Sequence, residues 1–502
     1  MTKGKKIVAN TVDSEEMRVA ILDERGRLYD LYLERMWERQ RTGEIYKARV
    51  DSVLPGMHAA FVNLGDGRNG FLYLDDVPDR NVKPNAEMIV QVVKSARKGK
   101  GARVTPRVSL AGRYLVLVPG GHETGVSKRI ADEDERARLR GLARSCRPQG
   151  YGLIVRTVAE GCDEENLMRD VEELLEQWQE VEENGRRNAA PCLLYRDLGL
   201  LERVLRDELD GDVTEIVVDN EEERDRVEEW LKHFRDGEPP EVNYYRGNTP
   251  LFEIYGIEKE IEGLLDRKVW LHSGAYLVID QTEALTVIDV NTGKFTGSTD
   301  LRHTVLATNL EAADEVARQL RLRALGGIVV IDFIDMETDE DRRALVARLQ
   351  ELFRKDRYRA RVYGVTGLGL VEITRKRARP DLRSLVSRGC PFCGGLGWVE
   401  KEESVAMQIK RFLRKVCQSS RSEALLVEAY PAVARYVGET YLKAWQEEFG
   451  RTLFLREVPE FSWARYRLDS QGSLAQMEHR VDLLERREER AVVHRAAASP
   501  RV

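Results

Sequence analysis

Two aspartates in the middle of this sequence end short apolar runs. Asp289 closes Leu285-Thr286-Val287-Ile288-Asp289, followed by Val290-Asn291-Thr292-Gly293, and Asp332 closes Gly327-Ile328-Val329-Val330-Ile331-Asp332. Apolar, β-branched runs bounded by Gly and polar residues read as buried strands. Between them, His303 to Leu325 has helical periodicity and stops at Gly326-Gly327. A right-handed crossover lays the two strands side by side. Both carboxylates then reach neighbouring strand ends, on the edge where α/β sheets bind ligands. Two carboxylates so placed can share a hard cation. Mg²⁺ takes one or two of them and keeps several waters, and it can polarise a phosphoryl oxygen and activate water. A single aspartate ending a strand is ordinarily a turn residue. Two joined by one crossover favour a site.

The other metal-ligand pattern is Cys390-Pro391-Phe392-Cys393-Gly394-Gly395, half of a zinc knuckle. A structural zinc takes four ligands, and the remaining cysteines, Cys146, Cys162, Cys192 and Cys417, are isolated. The simplest completion is a second chain giving its own pair, which implies at least a dimer. A redox Cys-x-x-Cys is the rival, disfavoured by the glycine-rich knuckle. Six cysteines in 502 residues suit a reducing compartment. No apolar run approaches the ~20 residues of a membrane span, and no signal-type apolar segment follows the basic start. The chain reads as cytoplasmic.

The formal net charge is -6, so a polyanion partner must meet a local basic patch rather than a global field. Such a patch exists. From Met88 to Arg113 there are seven basic residues and no acid, Lys100 among them. It follows short strands at about ten-residue spacing, including Ala59 to Leu64 and Asn69 to Tyr73, which suggest a small barrel over 37–118. Phe61 and Phe71 flank the turn Gly65-Asp66-Gly67-Arg68. Aromatic strands beside a basic flank are the parts of a single-strand platform. The competing reading buries both rings in the barrel core.

The elements around these residues divide the chain. Residues 1–36 form a small meander, and 119–201 combine short strands with acidic helices. Residues 202–264 mix strand and helix. Residues 265–386 carry the aspartates, 387–400 the cysteine knuckle, and 401–502 are helical and mixed, with a charge-laced helix expected over Gln471 to Arg495.

The order Gly43-x-Ile45-Tyr46-Lys47, Ala59-Ala60-Phe61-Val62, Gly70-Phe71-Leu72 resembles the S1-type OB barrel of the ribonuclease E/G family. Gln281-Thr282-Glu283-Ala284-Leu285-Thr286, Asp289-Val290-Asn291-Thr292-Gly293, Asp332-Phe333-Ile334-Asp335-Met336 and Cys390-Pro391-x-Cys393-x-Gly395 resemble that family's motifs, in its order. The end at 502, without a long disordered tail, is similar to the family's short, G-type branch. The resemblance implies a multidomain α+β chain: an S1 barrel inserted in an RNase H-like subdomain (1–36 and 202–264), a 5′ sensor (119–201), a DNase I-like catalytic subdomain (265–386), a zinc-link and a small oligomerisation domain. It implies an endoribonuclease using Mg²⁺ at Asp289 and Asp332, with Asn291 orienting Asp289 or a metal-bound water. The implied substrate is single-stranded A/U-rich RNA, cut to 5′-phosphate and 3′-hydroxyl ends in rRNA maturation and mRNA decay. Zn²⁺ would be shared between chains, with dimers pairing into a tetramer. The 5′-monophosphate role is carried onto Gly112, Val116, Lys128, Arg156, Thr157 and Arg359. The family often has Arg where Lys128 stands, and lysine keeps the charge but loses the fork. Arg156 alone could equally be an ion pair with a nearby helix. Lys294, Arg375, Lys376, Arg377 and Arg379 are candidates to grip the RNA backbone. The rival classes are a non-catalytic S1-type RNA-binding protein and a DNA nuclease.

Overall fold

The computed structural model describes residues 4–36, 41–78, 82–96, 101–130, 132–232, 238–293, 301–354, 356–377, 379–487 and 492–495. The chain folds as two units, 1–383 and 384–502.

The aspartates lie in a six-stranded sheet in the order Lys268–Trp270, Tyr276–Gln281, Leu285–Asn291, Gly327–Asp332, Val371–Arg375, Arg361–Val365. Only the central pair is parallel; every other neighbour is antiparallel. The parallel pair is joined by the helix Leu301–Leu322, and the helix Asp339–Arg354 follows it. Both helices pack on one face. Ala312, Val316 and Leu320 of the first, and Leu345, Leu349 and Phe353 of the second, meet Ile288, Val290, Val329, Ile331, Val371 and Ile373. Among the described residues, the other face carries no helix of this core. Along the Asp289 strand, Thr286, Ile288 and Val290 are buried while Val287 and Asp289 are exposed, the period of two expected of a sheet with one wet face. The sequence reading took these strands as buried. They are covered on one side only, because both helices return to the same face.

A five-stranded barrel is built from Ile45–Leu54, Ala59–Asn63, Asn69–Tyr73, Arg103–Thr105 and Glu87–Lys94, and pairing of the first with the last closes it. Its interior holds Ala48, Val50, Ala60, Val62, Leu72, Val90 and Val104, as an OB-type barrel requires. Leu115–Pro119, expected within the barrel, lies outside it. It pairs with Tyr151–Val155 in a four-stranded sheet, with Leu110–Ala111 on its other side. Conversely, Cys192–Tyr195, sequence-distant from the barrel, adds to its Ile45–Leu54 strand. The strands Lys5–Asn10, Glu16–Leu22 and Leu28–Arg35 share a five-stranded sheet with Val213–Val218 and Glu241–Tyr244. Lys5–Asn10 and Val213–Val218 run parallel although they are far apart in sequence.

The second unit has a four-stranded sheet ordered Tyr466–Gly472, Ala424–Ala429, Thr452–Glu457, Val493–Arg495. The helices Glu402–Ser419, Pro431–Thr440 and Leu442–Phe449 cover one face and Leu474–Arg487 the other. The long helix expected over Gln471 to Arg495 is shorter. Gln471 lies in the strand Tyr466–Gly472 and Val493–Arg495 forms another, because both can pair with a sheet that charge patterning does not reveal. No helix among the described residues is long and apolar enough to cross a membrane.

Candidate active site and nucleic-acid interface

The crossover sets the register of the two aspartates. Asp289 and Asp332 are direct partners in the parallel ladder, so their Cα atoms are one strand spacing apart, about 4.8 Å. Both side chains are exposed on the helix-free face. Asn291 Nδ2 donates to Asp289 Oδ2 at 2.8 Å, which turns that carboxylate. Gly293, at φ 60°, lets this strand end lie against the Gly274 turn: a Cβ there would come 2.5 Å from the Gly274 carbonyl. Among the described residues, no group of three or more His, Cys, Asp or Glu side chains gathers as a metal site. The donor set is two hard carboxylates, which fits a cation that keeps most of its waters, as Mg²⁺ does.

The barrel buries Tyr46 in its core but keeps Phe61, Phe71 and Tyr73 out of it. Phe61 and Phe71 are register partners and neither belongs to the barrel core. Their rings meet edge to face at 5.9 Å, and Tyr73 extends the row at 4.9 Å from Phe71. Arg103 places its guanidinium 4.6 Å over the exposed Tyr73 ring. The reading that buries both rings in the barrel core does not hold, since neither ring belongs to it. Sequence reading passed over Tyr73, though its i+2 spacing from Phe71 puts it on the same face. Lys100 lies outside the described residues.

The residues assigned to a terminal phosphate gather around one loop. Asp170, on the helix Glu164–Arg187, accepts from the backbone N–H groups of Arg113, Tyr114 and Leu115 at 3.0, 2.9 and 2.7 Å. Burial pushes this carboxyl up to about 6, against the pull of those amides. Gly112 starts the loop. An added Cβ would meet the Asp170 carboxylate at 2.4 Å, so this close approach requires glycine. Arg156 donates to the Gly112 carbonyl, and it pairs with Asp207 at 2.5 Å. Its fork is thus engaged by protein groups, as the ion-pair reading anticipated, although the partner sits on the helix Leu200–Glu208. Burial works to raise Asp207, but Arg206, Arg156 and Arg357 hold its carboxyl well below the usual range. Thr157 Oγ1 is 3.0 Å from Ser127 Oγ, and Val116 pairs with Ile154. Lys128 and Arg359 are exposed. Arg129, beside Lys128, is lowered by burial and by the neighbouring Arg357 and Arg359. This like-charged cluster brings Arg129 and Arg357 next to Arg359. No spacing in the sequence signals it, because 129 and 357 lie in turns more than 200 residues apart in the chain.

Two expected backbone grips are structural. Arg375 is buried, with Nε donating to Asp356 and Nη1 to the carbonyls of Leu320 and Leu325. Arg379 donates to Asp30 at 2.5 Å and to the carbonyls of Leu31 and Arg321. A guanidinium has donors enough to tie several chain segments, and here they are spent inside. Lys376 and Arg377 are exposed, and Arg377 donates to the Gly326 carbonyl. Lys294 lies outside the described residues.

In the second unit, Cys390 is exposed and Cys393 half-buried. The backbone N–H of Gly397 donates to Cys393 Sγ at 3.4 Å. With the Gly395 and Leu396 amides, it lowers that thiol from its ordinary value. Amides aimed at sulfur favour the thiolate, the form that binds metal.

The sequence profile of the Ribonuclease E/G family matches residues 109–378. Ribonuclease G of Escherichia coli (strain K12) is 41% identical over 443 residues, covering 84% of this chain and 90% of that protein. Ribonuclease G of Haemophilus influenzae is 39% identical over 445 residues, covering 85% and 90%. Ribonuclease E of Nostoc sp. is 44% identical over 370 residues, covering 71% of this chain and 54% of that protein. With the family profile spanning more than half the chain, and relatives matched over nine-tenths of their length, this protein belongs to the ribonuclease E/G family.

Proposed function

We propose that the chain is a Mg²⁺-dependent endoribonuclease acting on single-stranded, A/U-rich RNA, in rRNA maturation and mRNA decay. The observation that carries the reading is the Asp289–Asp332 register on an open sheet face, with Asn291 fixing one carboxylate. Asp289 and Asp332 would hold the divalent cation, which when bound supplies Lewis-acid activation of water and charge neutralisation at the phosphate. The chain's own residues orient and admit. Asn291 fixes the lone-pair direction of Asp289, and the helix-free face admits an extended strand. Water oxygen attacks phosphorus in line and the bond from phosphorus to O3′ breaks. The attacking water gives up a proton and the departing O3′ takes one, so the products are a 3′-hydroxyl and a 5′-phosphate. Phe61, Phe71 and Tyr73, with Arg103, stack and pair with the strand at the barrel. A 5′ monophosphate would be drawn to the Arg129–Arg357–Arg359 cluster beside Arg156 and Thr157, with Lys128 at its rim. Cys390 and Cys393 would complete a Zn²⁺ site with the same pair of a second chain, linking dimers that associate into a tetramer. The family relation supports the ribonuclease class, and the two-carboxylate donor set supports Mg²⁺.

The test is cleavage of a short 5′-monophosphorylated A/U-rich RNA, and of a DNA of the same sequence, with Mg²⁺ and with EDTA. Internal cutting of RNA alone, lost with EDTA and lost in Asp332→Asn, is expected. Tight binding without cutting by the unmodified chain would move the assignment to the RNA-binding rival, and cutting of the DNA would move it to the nuclease one.

A further inference from the structure

The helix-free face of the six-stranded sheet continues past the aspartates to its edge strand, Lys268–Trp270. The register puts Lys268, Val278, Asp289 and Asp332 in one row across the sheet. Trp270, Tyr276 and Asn291 form the next row. Side chains in such rows share a face. Trp270 is 63% exposed, and the hydrophobic core of this group lies on the opposite side of the sheet. The Trp270 and Tyr276 ring centroids are 5.2 Å apart, tilted at 59°. The Lys268 ammonium stands 3.9 Å from the Trp270 ring and 3.5 Å from the Tyr276 ring. A cation held against two π-faces fixes both rings and is fixed by them. Among the described residues no carboxylate pairs with it.

This patch is preformed, aromatic and positive, and Tyr276 adjoins Asn291, the residue that holds Asp289. Lys268 lies two strand spacings from Asp289, about 10 Å, within reach of a nucleotide next to the scissile phosphate. Every nucleobase has a π-face and every nucleotide a phosphate. An aromatic platform with a cation is the combination that single strands use. A purely apolar partner would have no use for the ammonium, whose desolvation would oppose docking.

We infer that Trp270, Tyr276 and Lys268 form a stacking subsite that receives the nucleotide adjacent to the one cut at Asp289 and Asp332. The inference rests on the aspartate pair being the hydrolytic site. The base lies on the Trp270 indole, Tyr276 buttresses the indole from the site side, and Lys268 faces the backbone phosphate.

The test uses the full chain carrying Asp332→Asn, with Mg²⁺ and a 3′-fluorescein-labelled, 5′-monophosphorylated A/U-rich RNA, read by anisotropy. Trp270→Ala added to this background weakens binding about 5- to 150-fold, the range one stacked base supplies, and Trp270→Phe restores most of it. An abasic nucleotide at one position costs as much with Trp270 present and little with Trp270→Ala. In the active chain, Trp270→Ala raises KM and leaves kcat within about twofold. Unchanged affinity and KM in Trp270→Ala, while Asp332→Asn abolishes cutting, would overturn the subsite and spare the active-site reading. Cutting that survives Asp332→Asn would instead fail the active-site reading, and the subsite with it. A Trp270→Ala effect confined to the sedimentation of RNA-free protein would assign this face to a second copy of the chain and overturn the proposal.

Discussion

Arg375 separates a phosphate grip from a structural clamp, and its replacement by Ala should damage folding rather than RNA contact. Its side chain is 2% exposed and that of Asp356 4%. Nε donates to Asp356 Oδ2 at 3.0 Å, while Nη2, equally near that oxygen, is out of line for a hydrogen bond. Nη1 reaches the Leu320 carbonyl at 3.1 Å and the Leu325 carbonyl at 2.7 Å. Those carbonyls stand near the C-terminal end of the crossover helix, where backbone acceptors have no intrahelical partner and a cation complements the dipole. Asp356 is further tied to the Tyr358 amide at 2.7 Å. Arg375→Ala therefore leaves a buried carboxylate without its cation and removes the guanidinium donor from the Leu325 carbonyl, while the Leu320 carbonyl keeps the Leu325 amide at 2.9 Å. Breaking a buried pair by removing one partner costs about 3–5 kcal/mol. At about 2 °C per kcal/mol for a unit of this size, the melting temperature should fall by ~6–10 °C. Arg375→Lys keeps the charge but not the fork and should recover only part of this loss. The assay is thermal unfolding of the full chain by circular dichroism, with RNA affinity measured well below the transition. A variant that melts within about 1 °C of the parent but binds RNA tenfold more weakly would refute the clamp and reinstate Arg375 as a phosphate contact.

Two further outcomes are expected. The Asp170 carboxyl is raised to about 6 by burial, so the fold holds its proton more tightly than the unfolded chain does. Stability from this group is full below about pH 4 and is lost as pH rises through about 6, by up to roughly 3 kcal/mol. Asp170→Asn should flatten that part of the urea-midpoint profile between pH 4 and 7, and an unaltered profile would remove Asp170 as its source. Cys390→Ser should release zinc, counted by atomic absorption, and give smaller assemblies on sedimentation; zinc-free parent protein sedimenting unchanged would count against a shared site.

The sequence by itself determined which residues could do chemistry and which strands would carry them. Asp289 and Asp332 were legible because their strands are short apolar runs joined by one helix, and a right-handed crossover leaves few places for the second strand. Phe61 and Phe71 were legible as a pair, because alternation along strands fixes which side chains share a face. Tertiary structure decided what no local pattern encodes. It left one face of the sheet that bears Asp289 and Asp332 open, since both helices returned to the other side. It turned Arg375 and Arg379 from surface cations into interior clamps, because burial depends on segments such as Leu31 and Leu325 that are distant in sequence. It took Leu115–Pro119 out of the barrel and brought Cys192–Tyr195 to it. It also gathered Arg129, Arg357 and Arg359. A periodicity reports the faces of one element, whereas these placements depend on which elements meet, and that is set by long-range packing.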